Sequence, residues 1–267
     1  MMRIFSLILA VILIGVGLWL LLIGTDEQEQ ATAERTPMAT TSTEIATSSV
    51  NYFDNATGYL ATPTSTQRAP GVVMVHEWWG LNEHIKNQAD ELAAEGYRVL
   101  AVDLYDGEVA TSASRAQQLS SSIAQERARS NMQAAVAYLR GEGAPRVAGL
   151  GWCFGGGQAL ELAMTDTELA GHVIYYGSSM ATSTDALASV QAPVLGIFGA
   201  DDQVVPTTTV AQFERSLNEL GIENEIHMYE GVGHAFANPS NDGYAPEKAA
   251  DAWQKTLRFL EQRLQSE

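Results

Sequence analysis

Residues 146–162 read RVAGLGWCFGGGQALEL. Val147 to Leu150 form a short apolar run, which meets Gly151, Trp152, Cys153, Phe154 and Gly155 and then a small and apolar segment able to wind into a helix. That is a strand, a sharp turn and a helix with a nucleophile-type residue at the apex. Glycines flank such an apex because the turn needs unusual dihedrals and brings helix and strand too close for a Cβ. Cys153 is the only cysteine of 267 residues and stands where serine is commoner. Two other readings apply to the stretch alone. A lone cysteine in apolar surroundings is often a small buried hydrophobe, and glycine-rich strand-to-helix turns also cradle phosphate. Against phosphate, no Gly-Lys-Ser/Thr ending follows, and no GxGxxG register fits with an acidic residue about 20 positions on.

Outward from this stretch, strands and helices alternate. Strands are predicted at 71–76 (GVVMVH), 97–102, 146–150, 172–176, 193–199 and 223–229. Helices are predicted over 82–95, with Gly96 as its stop, over 112–140 as one long or broken stretch, and over 207–220 and 246–265. A small hairpin is expected between Tyr52 and Leu60, with Asn55 and Gly58 as turn formers. Continuous apolar strands separated by helices predict an α/β chain with a mostly parallel, doubly wound sheet, whose chemistry collects in loops at the carboxyl ends of the strands.

Residues 1–24 contain an apolar run from Ile4 to Ile23, preceded by Arg3 and followed by Asp26, Glu27 and Glu29. Its length suits a transmembrane helix and its flanking charges an N-terminus on the cytoplasmic side. A signal anchor is therefore expected, with the rest of the chain extracytoplasmic; the alternative is secretion after signal-peptide cleavage. Residues 25–49, rich in Thr, Ser and Ala, read as a flexible linker, and the folded domain is expected over 50–267. Formal net charge is −17, which excludes nucleic acid as a natural partner. One cysteine permits no internal disulfide. The domain is expected to be a monomer.

Three strand-end residues form a candidate constellation. A thiol attacks as thiolate, so Cys153 needs a base and gains from a helix N-terminus. His234 in GVGHAF (231–236) is placed to be that base, and Asp202 in GADDQVVP (199–206) to orient it. Asp202 is preferred over Asp201 for its position between Gly199 and Pro206. The order nucleophile, acid, histidine is that of α/β-hydrolases. The plain alternatives are an Asx turn at the aspartates and a loop histidine. No histidine pair has metal-ligand spacing backed by carboxylates, so no metal and no cofactor are expected.

Taken together, HEWWGLN (76–82), VDLYDG (102–107), GWCFGG (151–156), GADDQVVP and GVGHAF resemble the dienelactone hydrolase family of α/β-hydrolases, over essentially all of 50–267. The resemblance implies a Cys153, His234 and Asp202 triad that opens a small ester or lactone through a thioester acyl-enzyme. It also implies a buried Glu77 that bonds the resting thiol and helps to deprotonate it, and an oxyanion hole from the N–H groups of Phe154 and Trp78. A substrate-binding arginine of the family maps best onto Arg115, although a tyrosine expected four residues later is Leu119. Trp79 beside Trp78 is a candidate pocket wall, with core filling as its alternative. A thioesterase or peptidase-like acyl hydrolase would share this machinery, and a non-catalytic anchored binding module would share the fold.

Overall fold

The computed structural model describes residues 43–66, 68–166 and 168–265. Among these residues eight strands form one sheet in the order β1-β2-β4-β3-β5-β6-β7-β8. They are β1 (Ile45–Phe53), β2 (Ala56–Pro63), β3 (Gly71–Val75), β4 (Arg98–Val102), β5 (Val147–Trp152), β6 (His172–Tyr175), β7 (Val194–Gly199) and β8 (Asn224–Tyr229). Every neighbouring pair from β4 to β8 is parallel, and the two antiparallel pairs are those that β2 makes with β1 and with β4. The helices are α1 (Glu83–Ala94), α2 (Ala113–Ser122), α3 (Gln125–Gly141), α4 (Phe154–Thr165), α5 (Thr184–Leu187), α6 (Thr207–Glu219) and α7 (Pro246–Leu264).

The apolar strands are buried on both faces, so their side chains divide by the period of two. In β3, Val72 and Met74 join Ile85 and Leu92 of α1 and Phe259 of α7. Val73 and Val75 point the other way, onto Met132, Val136 and Leu139 of α3. From β3 the chain passes through α1 to β4 on one side, then crosses by α2 and α3 to β5 on the other. The carboxyl ends of β3 and β5 thus flank the switch point where such sheets place their ligands.

Local chemistry sets the element ends. Asn82 caps α1 by accepting from the Ile85 N–H, and Gly96 follows the helix at φ +97°. The predicted 112–140 helix is broken at Ile123 and Ala124, both extended. Gly58, expected in the hairpin turn, lies within β2; the turn falls at Asp54 and Asn55. A Cβ on Gly58 would come within 2.8 Å of the Leu100 side chain, so the glycine serves strand packing.

Two expectations are corrected. β1 begins at Ile45, inside the segment 25–49 read as linker. Its Thr and Ser side chains are mostly exposed because it is an edge strand, ordered by backbone pairing with β2 and not by apolar burial. The second is the membrane-anchored, extracytoplasmic placement, which the structure does not support: among the described residues no helix is long and apolar enough to cross a membrane. Even α7, at 19 residues, carries charges such as Lys248, Asp251 and Glu261 along its length. The expected span, its cleavage alternative and most of the linker lie outside the described residues.

The hairpin is tied down by one polar knot. The Tyr52 hydroxyl donates to Asn131 Oδ1 at 2.6 Å and accepts from the Asp103 N–H at 3.0 Å, while the Asn131 amide donates to the Asp103 carbonyl at 2.9 Å. Tyr52→Phe leaves a buried donor and acceptor unpartnered, and should lower stability by about 1–3 kcal/mol. The check is a lower urea midpoint at unchanged slope.

Candidate active site

Cys153 joins β5 to α4 with φ 52° and ψ −118°, a conformation that costs a non-glycine residue roughly 1–3 kcal/mol. The surroundings hold it there. Its N–H donates to the Tyr175 carbonyl at 2.9 Å, and its carbonyl accepts from Gly156, Gly157 and Ser178 at 3.0–3.2 Å. A Cβ on Gly151 would lie 2.1 Å from the Gly155 carbonyl oxygen, and one on Gly155 would lie 2.3 Å from that of Val75. The glycines therefore let β5, α4 and the end of β3 meet. The thiol is partly exposed at the start of α4, where the helix dipole favours an anion.

His234, on the loop after β8, has Nε2 3.0 Å from Cys153 Sγ and Nδ1 2.8 Å from Asp202 Oδ2. The Asn241 amide grips that loop by donating to the carbonyls of His234 and Ala235. The other Asp202 oxygen accepts from the N–H groups of Val204 and Val205 at 2.7 and 2.9 Å. Asp202 thus makes an Asx-type turn and faces the histidine at once. Burial alone would lower the His234 pKa, but the hydrogen bonds and negative charge of Asp202 and Cys153 outweigh it and raise it to about 10. Burial opposes ionisation of Asp202, yet His234 and the two backbone donors hold its carboxyl below the ordinary value.

Glu77 follows β3 and is buried, which pushes its pKa up to about 7 against the opposing pull of the Asn238 amide and the positive His234. The Asn238 amide donates to Glu77 Oε2. Among the described residues no hydrogen bond joins Glu77 to Cys153; at rest the thiol is held by His234, which corrects the implied thiol contact. Phe154 is the first residue of α4, so its N–H precedes the helical ladder.

These residues open on one cleft of about 1120 Å³, lined by Glu77, Trp78, Trp79, Cys153, Phe154 and His234 among others. The Trp78 and Trp79 rings meet edge to face at 5.1 Å. Arg115 is not brought into the lining. Its Nη2 donates to Glu108 at 2.6 Å and Nη1 to Gln118 at 3.2 Å, so the guanidinium is committed on the surface. Sequence reasoning missed Asn238, four residues beyond His234, and Asn241; nothing in the spacing of an asparagine signals a buried carboxylate partner. It also passed over Tyr176, wholly buried, whose ring lies 5.2 Å from that of His234. Among the described residues no cluster of His, Cys, Asp or Glu could hold a metal.

The sequence profile of the Dienelactone hydrolase family matches residues 56–264. The chain belongs to the dienelactone hydrolase family. A relative from Aquifex pyrophilus named Protein usf is 31% identical over 218 residues, covering 78% of this chain and 93% of its own length. A Methylorubrum extorquens protein assigned as a carboxymethylenebutenolidase is 30% identical, covering 76% of each chain. A solved structure assigned as a dienelactone hydrolase, from Klebsiella pneumoniae, superposes with a TM-score of 0.76 at 26% identity, over 82% of this chain and 99% of that one. This dienelactone hydrolase family member is accordingly a hydrolase with the α/β-hydrolase fold.

The raised Glu77 pKa has a thermodynamic signature. Because the folded-state value of about 7 exceeds the ordinary 4.5, the folded protein binds more protons than the unfolded one between these values, and stability contributed by Glu77 falls as pH rises through that window. Glu77→Gln removes this slope. Urea midpoints at about pH 5 and about pH 8 should show wild type losing stability relative to Glu77→Gln across the interval.

Proposed function

We propose that this domain hydrolyses carboxylic esters or lactones with Cys153 as nucleophile, His234 as general base and acid, and Asp202 as the group that orients and stabilises the imidazole. The unbroken hydrogen-bonded line from Cys153 Sγ through His234 to Asp202 carries the reading. The thiol proton passes to His234, and the thiolate adds to the substrate carbonyl to form a carbon–sulfur bond. Negative charge then gathers on the carbonyl oxygen, for which the N–H groups of Phe154 and Trp78 are the candidate donors. Collapse breaks the ester carbon–oxygen bond; His234 gives its proton to the departing alkoxide, which in a lactone stays tethered to the acyl group. His234 next deprotonates a water that attacks the thioester. Breaking the carbon–sulfur bond frees the acid and restores the thiol with the proton His234 has taken.

Glu77, half-ionised near neutral pH and one side of the cleft from the sulfur, is a second proton acceptor available to the thiol once substrate displaces the resting contacts. Its assignment rests on its burial in the lining of the cleft that Cys153 shares and on the Asn238 bond that keeps it from straying.

Cys153→Ala should lower kcat/KM for a small activated aryl ester by at least about a thousandfold, and Asp202→Asn should lower kcat by about a hundred- to ten-thousandfold with little change in KM. Intact-mass analysis of quenched wild-type protein should show one acyl adduct on Cys153. A Cys153→Ala protein with full activity would falsify the thiol mechanism.

A further inference from the structure

We infer that the cleft selects uncharged, hydroxyl-bearing esters or lactones over those that carry a carboxylate. The inference rests on the ester-hydrolase reading and concerns the part of the substrate remote from the reacting carbonyl. Three acidic residues, Glu77, Glu161 and Asp242, line the cleft, and no lysine or arginine is among the described residues that do. The arginines on the neighbouring helices are committed elsewhere. On α2, Arg115 binds Glu108. On α3, Arg127 binds Asp106 at 2.7 Å, and Arg129 donates through Nε and Nη2 to Glu161 at 3.0 and 2.8 Å. The last pair cancels the Glu161 charge but leaves no guanidinium for a substrate anion. An incoming carboxylate would lose its hydration and meet Glu77 and Asp242, while the one titratable base in the lining, His234, has both ring nitrogens engaged by Asp202 and Cys153.

The remaining lining is of the kind that exchanges hydrogen bonds with hydroxyl groups. Gln125 and Gln158 pair reciprocally by their amides at 2.9 and 3.2 Å. Ser120 and Ser121 direct their protons to the Gln117 carbonyl at 3.3 and 2.6 Å, which leaves their oxygens with acceptor capacity. A substrate O–H can donate to such oxygens and accept from the amides, whereas a carboxylate can only accept. The Trp78 and Trp79 rings add an apolar wall for the carbon skeleton.

The test uses γ-butyrolactone carrying at its γ-carbon a carboxylate, a hydroxymethyl or a methyl group. Each is assayed with the wild-type protein for kcat/KM by acid release, and for competition against acylation of Cys153 by a neutral aryl ester. The hydroxymethyl lactone should exceed the carboxylate by about tenfold or more at low salt, with the gap narrowing as salt rises, and should also exceed the methyl lactone. Gln117→Arg places a cation in the lining and should shift the carboxylate-to-hydroxymethyl ratio about tenfold toward the carboxylate. A carboxylate lactone that reacts or competes as well as the hydroxymethyl one overturns the charge selection, and a methyl lactone that equals it overturns the hydroxyl recognition. Absence of any Cys153 acylation by the aryl ester is a different result: it defeats the hydrolase mechanism itself, and this inference with it.

Discussion

The structure turns on the contact of backbone with backbone where α4 leaves β5 and lands on the end of β3. Gly155 lies so close to the carbonyl groups of Val75 and His76 that no side chain fits between them. That approach fixes the helix axis, and the helix axis fixes where Cys153 projects. The positive φ of Cys153 is sustained by four backbone hydrogen bonds within the elbow and to the strand end and loop of β6. Strain stored at one residue is stable only when its neighbours determine it this fully. Any side chain at Gly151 or Gly155 would move the sulfur away from an imidazole that now stands 3.0 Å off.

The other half of the site comes from the last two strands and is arranged electrostatically. Asp202 stays ionised although buried, because three donors converge on its two oxygens. Its charge in turn makes an imidazolium at His234 favourable, which is the state the ring enters when its Nε2 takes up a proton. Glu77 represents the opposite solution in the same cleft. With a single amide partner, burial dominates and its carboxyl holds a proton more readily. Two carboxylates within reach of one histidine are thereby driven apart in acidity by the number of donors each receives.

The legible parts of this chain were those where one physical constraint acts on contiguous residues. Strands buried on both faces read as unbroken apolar runs, and β3 to β7 lie within two residues of where those runs predicted them. The elbow was legible because only glycine permits its close approaches. Asp202 could be chosen over Asp201 from its place in the loop, and it is the one that meets His234, while Asp201 is exposed. What stayed hidden depends on partners distant in sequence. The order of residues 45–49 comes from pairing with β2, the role of Gly58 from the Leu100 side chain, and the hold on Glu77 from an asparagine 161 positions away. Arg115 misled because a cation near a cleft looks alike in sequence whether or not a neighbouring glutamate has already taken it.

The sheet remains open, with β1 at one margin and β8 at the other. Among the described residues each margin leaves one row of backbone groups without a neighbouring strand, the usual template for unwanted association between chains. β1 presents Thr47, Ser48 and Ser49 exposed along that row, and β8 carries Glu225 and His227, set 3.6 Å apart. These side chains are poor material for a dry zipper, so the polar character that made β1 resemble a linker also guards the open flank against fibril-like stacking.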